Sequence, residues 1–105
     1  MAAPALLDEL RYRLSRAYGE RLNSVVLFGS EARGQAGPES DIDLIVVLDG
    51  LMGDYGEELE RGVNAVYPVA LRLGRRVSVK PLARQEYEHG DTPLLREVRR
   101  SGVAA

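Results

Sequence analysis

Two aspartates separated by one residue, Asp41 and Asp43, begin an apolar run that ends at Leu48. Because side chains alternate along a strand, both carboxylates project from one face while Ile42 points into the core. Two like charges held this close are costly unless a cation or a shared proton compensates them. Carboxylate and phosphate oxygens are the ligands that Mg²⁺ prefers. The pair therefore predicts a central strand over Ile42–Leu48 with a Mg²⁺ site at its head.

A second constraint lies upstream, where the apolar segment Val25–Phe28 stops at Gly29. A short β-branched run ended by glycine predicts a buried strand followed by a tight turn. Ser30 suits the N-cap of a helix that begins there. Glycine lets the backbone approach a ligand closely, and the N–H groups at the start of a helix favour an anion. We therefore predict that Gly29 and Ser30 bind phosphate and, with the two aspartates, a nucleoside triphosphate and its metal.

The composition excludes several other kinds of site. The chain has no cysteine and one histidine, His89, which excludes disulfides, thiolate zinc sites, cysteine nucleophiles and histidine metal clusters. Its net charge of -2 disfavours a protein that coats nucleic acid. With 105 residues, 45% of them hydrophobic, we expect residues 1–105 to form one domain. No apolar run approaches the roughly 20 residues of a membrane helix, so we expect a cytoplasmic protein without membrane contact.

Helical spacing of apolar residues predicts an amphipathic helix over residues 5–18 and a second over residues 54–73. Pro68 should kink the second helix or divide it. A short helical turn is expected over residues 84–89, and a last helix should begin at Pro93. Three arginines of that last helix are expected on its solvent face: Arg96, Arg99 and Arg100.

A third strand should begin within Arg75–Lys80, with Val77 and Val79 facing the core and Ser78 facing the other way. A helical crossover precedes it, which favours a parallel pairing with the Ile42–Leu48 strand. The loop over residues 35–40 is too short for such a crossover, so the first two strands should be antiparallel. The sequence therefore predicts an α/β (α+β) fold with a small mixed sheet flanked by helices.

Two segments of the chain, taken together, resemble the signature of the DNA polymerase beta-like nucleotidyltransferase superfamily: Gly29-Ser30-x-Ala32-Arg33-Gly34 and Ser40-Asp41-Ile42-Asp43-Leu44. The small size resembles its minimal nucleotidyltransferase branch. The signature covers residues 25–48, and the flanking elements agree with the family only in pattern. The resemblance implies the nucleotidyltransferase fold, catalytic and metal-binding roles for Asp41 and Asp43, and a nucleotide-binding role for Arg33 beside Gly29 and Ser30.

In the family that this chain resembles, a third carboxylate on the later strand joins the two aspartates to hold two Mg²⁺ ions. Ser78 occupies the corresponding position here. A serine hydroxyl is a poor Mg²⁺ ligand and no useful general base at neutral pH. The metal that activates the attacking hydroxyl is therefore the one left short of ligands. Glu86 or Glu88 could supply the missing carboxylate from the following turn.

The resemblance implies a nucleotidyltransferase that moves AMP from ATP onto a hydroxyl, and a nucleic acid stays open as the acceptor. Small members of the family often act beside a HEPN-domain protein as toxin and antitoxin, which implies a HEPN-type partner and the antitoxin role for this chain. The alternative is a catalytically silent nucleotide-binding module that works by binding its partner. A plain flavodoxin-like domain is disfavoured because it leaves Asp41 and Asp43 uncompensated.

Overall fold

A computed structural model describes residues 4–104 of the chain. The strands are β1 (Leu22–Phe28), β2 (Ile42–Leu48), β3 (Val77–Ala83) and β4 (Val103–Ala104). The helices are α1 (Pro4–Tyr18), α2 (Gly29–Ala32), α3 (Tyr55–Leu73), α4 (Arg84–His89) and α5 (Pro93–Ser101), with a 3₁₀ turn at Gly19–Arg21. Within these residues, no helix is both long and apolar enough to cross a membrane.

The four strands form one mixed sheet in the order β3-β2-β1-β4. β1 pairs antiparallel with β2, and β2 pairs parallel with β3 through the crossover helix α3. β4 pairs antiparallel with β1. The predicted mixed α/β fold is confirmed, and β2 lies inside the sheet as expected of a strand that is apolar on both faces.

Each face of the sheet is covered by a different pair of helices. α1 and α3 cover one face, where buried side chains recur along α1 at helical spacing: Leu7, Leu10, Leu14 and Tyr18. α4 and α5 lie on the other face, where Leu95 and Val98 of α5 pack against Ile45 and Val47 of β2. Asp43 continues this second face because it alternates with Ile45 along the strand.

Two prolines lie inside regular elements. α3 is one helix with Pro68 inside it, so the predicted division is wrong, whereas the predicted kink stays a prediction. Pro68 removes only one helical hydrogen bond, and the buried side chains of Val66 and Val69 hold both halves of α3 against the sheet. β3 runs through Pro81 to Ala83. A proline is tolerated there because β3 is an edge strand, whose outward N–H positions need no partner.

Candidate active site

The sheet gathers the two motif segments at one end. Asp43 in β2 has Phe28 of β1 and Ser78 of β3 as its Cα partners. Asp41 lies one residue before β2, and Gly29 directly follows Phe28. The turn into α2, the aspartate pair and Ser78 therefore lie side by side on three neighbouring strands. The register also confirms that Ser78 lies opposite Asp43, as the sequence predicted.

The electrostatic environment of Asp43 disfavours its charge. Burial raises the pKa of the Asp43 carboxyl, and the nearby Asp41 carboxylate raises that pKa further, while Arg76 opposes them. Asp41 itself is exposed to solvent. A half-buried carboxylate beside a second one is the arrangement that a divalent cation relieves, because the cation replaces like-charge repulsion with attraction on both sides.

Gly29 lies close to the Asp43 carboxylate in a backbone conformation that favours glycine. Its φ is +77°, and a Cβ built on it would lie 2.7 Å from Oδ2 of Asp43. α2 begins at Gly29 itself after the extended residue Phe28, so Ser30 lies inside the first turn and is not the N-cap that the sequence predicted. The positive φ turns the chain into the helix one residue earlier than expected. Gly29 and Ser30 therefore both place backbone N–H groups at the start of α2, beside the aspartates.

A near-buried ion pair joins the two motif segments to β3. The Arg75 guanidinium contacts Glu31 of α2, and its Nε donates to the backbone carbonyl of Ser40 at 2.9 Å. The side chains of Arg75 and Glu31 are only 14% and 13% exposed. Because Ser40 immediately precedes Asp41, this contact fixes both the α2 turn and the entry to β2. Sequence reasoning missed the pair, because nothing local connects residues 44 positions apart.

The other predicted nucleotide ligand, Arg33, lies at the exposed end of α2. Its guanidinium donates to Gln35 at 3.2 Å and pairs with Glu97 of α5 at 3.3 Å. The structure therefore brings Gly29, Ser30 and the aspartates together, whereas it engages Arg33 with α5.

The alternative third carboxylates do not complete a cluster. Across residues 4–104, no group of three acidic, histidine or cysteine side chains is arranged to hold a metal ion. Glu88 pairs with Arg84 at 3.4 Å on α4, and Glu86 lines a cavity with Lys80. The two aspartates are therefore the only acidic ligands at the site within the described residues. Carboxylate oxygens suit a divalent cation, but phosphate oxygens must complete its coordination shell.

The chain is similar to known nucleotide-transferring proteins. A family model described as "Nucleotidyltransferase domain" matches residues 7–91. A Methanocaldococcus jannaschii protein named "Putative protein adenylyltransferase MJ1305" is 44% identical over 46 residues, which is 44% of this chain and 31% of that protein. The chain therefore matches about a third of the length of that curated relative.

Solved structures of toxin–antitoxin complexes have a similar fold. A chain of a toxin–antitoxin crystal structure with AMP-PNP aligns with a TM-score of 0.63 and 22% identity, over 93% of this chain and 72% of that one. A mutant form of the toxin–antitoxin MntA-HpeT aligns with a TM-score of 0.62 and 21% identity, over 93% and 70%. At this level of identity the likeness shows a shared fold.

Proposed function

The chain belongs to the nucleotidyltransferase domain family, and from that premise we propose that it transfers AMP from ATP to a hydroxyl acceptor. Membership confirms the resemblance drawn from the motif and places the chain in a class of enzymes. The observation that carries the proposal is the pair of Asp41 and Asp43 beside the turn at Gly29, whose mutual repulsion Arg76 only partly offsets. The adenylyltransferase name of the archaeal relative supports AMP as the transferred group.

Each site residue has a role in this proposal that follows from its chemistry. Asp41 and Asp43 hold a divalent metal, Mg²⁺ by the preference of that ion for carboxylate and phosphate oxygens. The metal, when bound, neutralises charge on the phosphates during displacement of pyrophosphate. Gly29 and Ser30 bind the phosphates through their N–H groups. Arg33 exchanges Glu97 for a phosphate, since both are anions that its guanidinium can bind.

We further propose that the acceptor belongs to a partner protein of the HEPN type and that this chain acts as an antitoxin. Support comes from the fold shared with toxin–antitoxin complexes, one of them bound to AMP-PNP. In this view residues 1–105 form one nucleotidyltransferase domain that holds the nucleotide while the partner presents its hydroxyl. The acceptor oxygen then bonds to the α-phosphorus and releases its proton to solvent, as the bond from that phosphorus to pyrophosphate breaks.

A second candidate function is favoured by Ser78. Because a serine lies beside Asp43 in the register and no third carboxylate joins the pair within residues 4–104, the protein could bind Mg·ATP without transferring it. The chain would then act through its partner, with the nucleotide serving as a structural ligand.

Transfer of label from α-³²P-ATP separates the two candidates. The protein, its co-purifying partner and Mg²⁺ are incubated together, and labelled protein is measured. We expect labelling that Asp43→Asn abolishes and that Asp49→Asn leaves unchanged, since Asp49 lies exposed just beyond the opposite end of β2. Binding of Mg·ATP with no label on any protein would instead identify the silent module.

A further inference from the structure

We infer that the outer edge of β3 binds an extended segment of a partner protein as an added strand, and that acidic residues alternate with apolar ones in that segment. Within residues 4–104, β3 is the last strand of the sheet and has a neighbour, β2, on one side only. An edge strand presents unpaired backbone groups to which another chain can pair. The inference concerns how the protein binds a partner, and it does not depend on nucleotide transfer.

The strand register shows which backbone groups of β3 point outward. Ile42 is the Cα partner of Val77, and its N–H donates to the carbonyl of Arg76 at 2.9 Å. In a parallel ladder with this bond, Arg76 directs its backbone groups toward β2, whereas Val77 and Val79 direct theirs outward. Across the described residues, no loop or helix backbone pairs with these outward groups. The first half of β3 is therefore an open edge.

An apolar groove lies beside this open edge, between α3 and the first residues of β3. Its volume is about 470 Å³. The side chains that α3 contributes are all apolar or aromatic: Leu59, Val63, Val66, Tyr67 and Ala70. Val63 and Tyr67 are 40% and 56% exposed, so apolar surface stays uncovered next to the outward backbone groups. A strand added at this edge would bury its own apolar side chains against that surface.

The opposite face of the same edge carries positive charge. Because side chains alternate along a strand, Arg76 and Lys80 lie on the face away from Val77 and Val79. Both basic side chains are exposed, and neither forms a salt bridge in the part of the chain that the structure describes. Arg76 partly offsets the charge of Asp43, which lies on the neighbouring strand. Acidic side chains on an added strand would form cross-strand pairs with the two basic residues.

An added strand meets both surfaces at once, because its own side chains alternate between the two faces of the sheet. Those on one face enter the groove beside α3. Those on the other face lie near Arg76 and Lys80. The pattern that matches the edge is therefore one apolar residue followed by one acidic residue, repeated along the segment.

The same features disfavour a second copy of this chain as the occupant. If two β3 strands paired antiparallel with Val77 opposite Val79 of the other copy, Arg76 would lie opposite Lys80 of that copy. Like charges placed directly opposite each other destabilise a strand pair. The next allowed register brings Pro81 opposite Val77, where proline has no N–H to donate. Charged residues and proline on an edge strand are typical of edges that avoid pairing with themselves.

Titration of the full chain with a capped peptide of alternating glutamate and valine tests the inference. The peptide has seven residues, as β3 does. Its affinity is measured by calorimetry and compared with that of a peptide in which lysine replaces every glutamate. We expect the parent to bind the glutamate peptide about tenfold more tightly, because two cross-strand charge pairs change sign. Lys80→Glu should remove most of this preference, and Arg16→Glu, on the exposed side of α1, should leave it unchanged.

Tyr67→Ala tests the apolar groove and keeps the test available if Lys80→Glu fails to fold. It should weaken binding of the glutamate peptide by about fivefold, because the peptide then buries less apolar surface. Tyr12→Ala is the matched control, since Tyr12 is 60% exposed on α1. This control should bind the peptide as the parent does.

Amide hydrogen exchange shows where the peptide binds. The N–H groups of Val77 and Val79 should exchange more slowly with the glutamate peptide bound, because they then donate to the added strand. The N–H of Ser78 should be unaffected, since it already faces β2. Protection confined to other residues would overturn the inference.

Three further results would also overturn it. The first is equal affinity for the two peptides, or no binding of either. The second is a dimer of the protein whose formation protects the N–H groups of Val77 and Val79, which would assign the edge to a second copy. The third is tighter binding of a single-stranded oligonucleotide than of the glutamate peptide, which would assign the basic residues to nucleic acid.

Discussion

Two carboxylates, Glu58 near the start of α3 and Asp43 near the start of β2, have opposite electrostatic environments. Glu58 is completely buried, yet Arg21 donates to both of its oxygens at 2.5 and 3.1 Å and the N–H of Met52 donates at 3.0 Å. Arg61 lies 3.5 Å away. These partners, the hydrogen bonds from Arg21 above all, lower the pKa of Glu58 despite its burial.

Asp43 is less buried than Glu58 but less well compensated. Burial and Asp41 raise its pKa, and Arg76 only partly opposes them. The fold therefore satisfies the carboxylate that anchors the loop after β2 and leaves unsatisfied the one in the motif. A poorly compensated carboxylate is typical of a site that binds a ligand. The comparison indicates a structural role for Glu58 and supports the role that we propose for Asp43.

Glu58→Gln should have the largest effect on stability. It leaves Arg21 without its carboxylate, and breaking a buried ion pair costs about 3 kcal/mol. Because the folded-state pKa is lowered, the contribution of Glu58 is present above its ordinary value of 4.5 and is lost as the pH falls through the lowered value. Urea unfolding at several pH values should show the gap between parent and variant closing in acid. Glu60→Gln, on the exposed side of α3, should change stability little. If Glu60→Gln lost as much stability as Glu58→Gln, the special role of the buried Glu58 ion pair would be contradicted.

Gly29→Ala should have the next largest effect. Gly74→Ala is its control, because it separates the cost of a positive φ from the effect on the site. Both glycines have a positive φ, which costs an alanine about 1–2 kcal/mol. Only Gly29 would place its Cβ against the Asp43 carboxylate, since nothing lies within 4 Å of the corresponding position at Gly74. Thermal melting with and without Mg·ATP should show that Gly29→Ala loses the ligand response and Gly74→Ala keeps it. If both variants responded equally to Mg·ATP, Gly29 would have no part in binding the ligand.

Ser78→Asp should increase the contrast between the poorly compensated Asp43 and the well-compensated Glu58. A third carboxylate beside Asp43 adds repulsion and should lower the stability of the metal-free protein by about 1 kcal/mol. With Mg²⁺ it should raise nucleotide transfer, because it supplies the ligand that the family pattern expects. Both effects should appear together in melting and labelling assays. Ser24→Asp, on the same face at the far end of β1, should show no gain in transfer. Loss of stability without any gain would mean that Ser78 is an ordinary strand residue.

Asp43→Asn should produce the smallest change in the stability of the metal-free protein. The change should be opposite in sign to that of Glu58→Gln. Removing a like charge should stabilise the metal-free protein by about 0.5 kcal/mol at neutral pH. The folded-state pKa is raised, so the penalty is absent below the ordinary value of 3.8, where the carboxyl is protonated in both states, and grows as the pH rises through the raised value. Denaturation at pH 3.5 and pH 7.5 checks this sign, and destabilisation at pH 7.5 would contradict the comparison.

The sheet was more predictable than its edges. The span of β2 matches the prediction because its apolar run and the aspartate pair bound it on both sides. The two-residue strand β4 was not predicted, since Val103 and Ala104 pair with β1 only through the tertiary fold. Arg99 is exposed, as predicted, but the sequence did not indicate that its guanidinium also donates to backbone carbonyls between α4 and α5. Contacts between distant segments have no local signature.

The candidate site divides in the same way. Strand alternation and a glycine stop, which act over a few residues, pointed to Asp41, Asp43 and Gly29, whereas Ser78 was singled out by the resemblance to the family. The predicted start of α2 was wrong by one residue, because a glycine before a helix can adopt either sign of φ and the sequence does not show which one it takes. Glu58 was not singled out, because an acidic residue early in a helix suits the helix dipole and conceals its burial.

Above all, we propose that Asp41 and Asp43 form a site for a divalent metal and a nucleoside triphosphate. The most direct measurement is the melting temperature with Mg²⁺, with ATP and with both, for the parent and for the Asp41→Asn/Asp43→Asn double variant. In the parent, Mg²⁺ and ATP together should stabilise more than either alone, because phosphate oxygens complete the metal shell, and the double variant should lose this added stabilisation. A double variant that responds to Mg·ATP as the parent does would contradict the account.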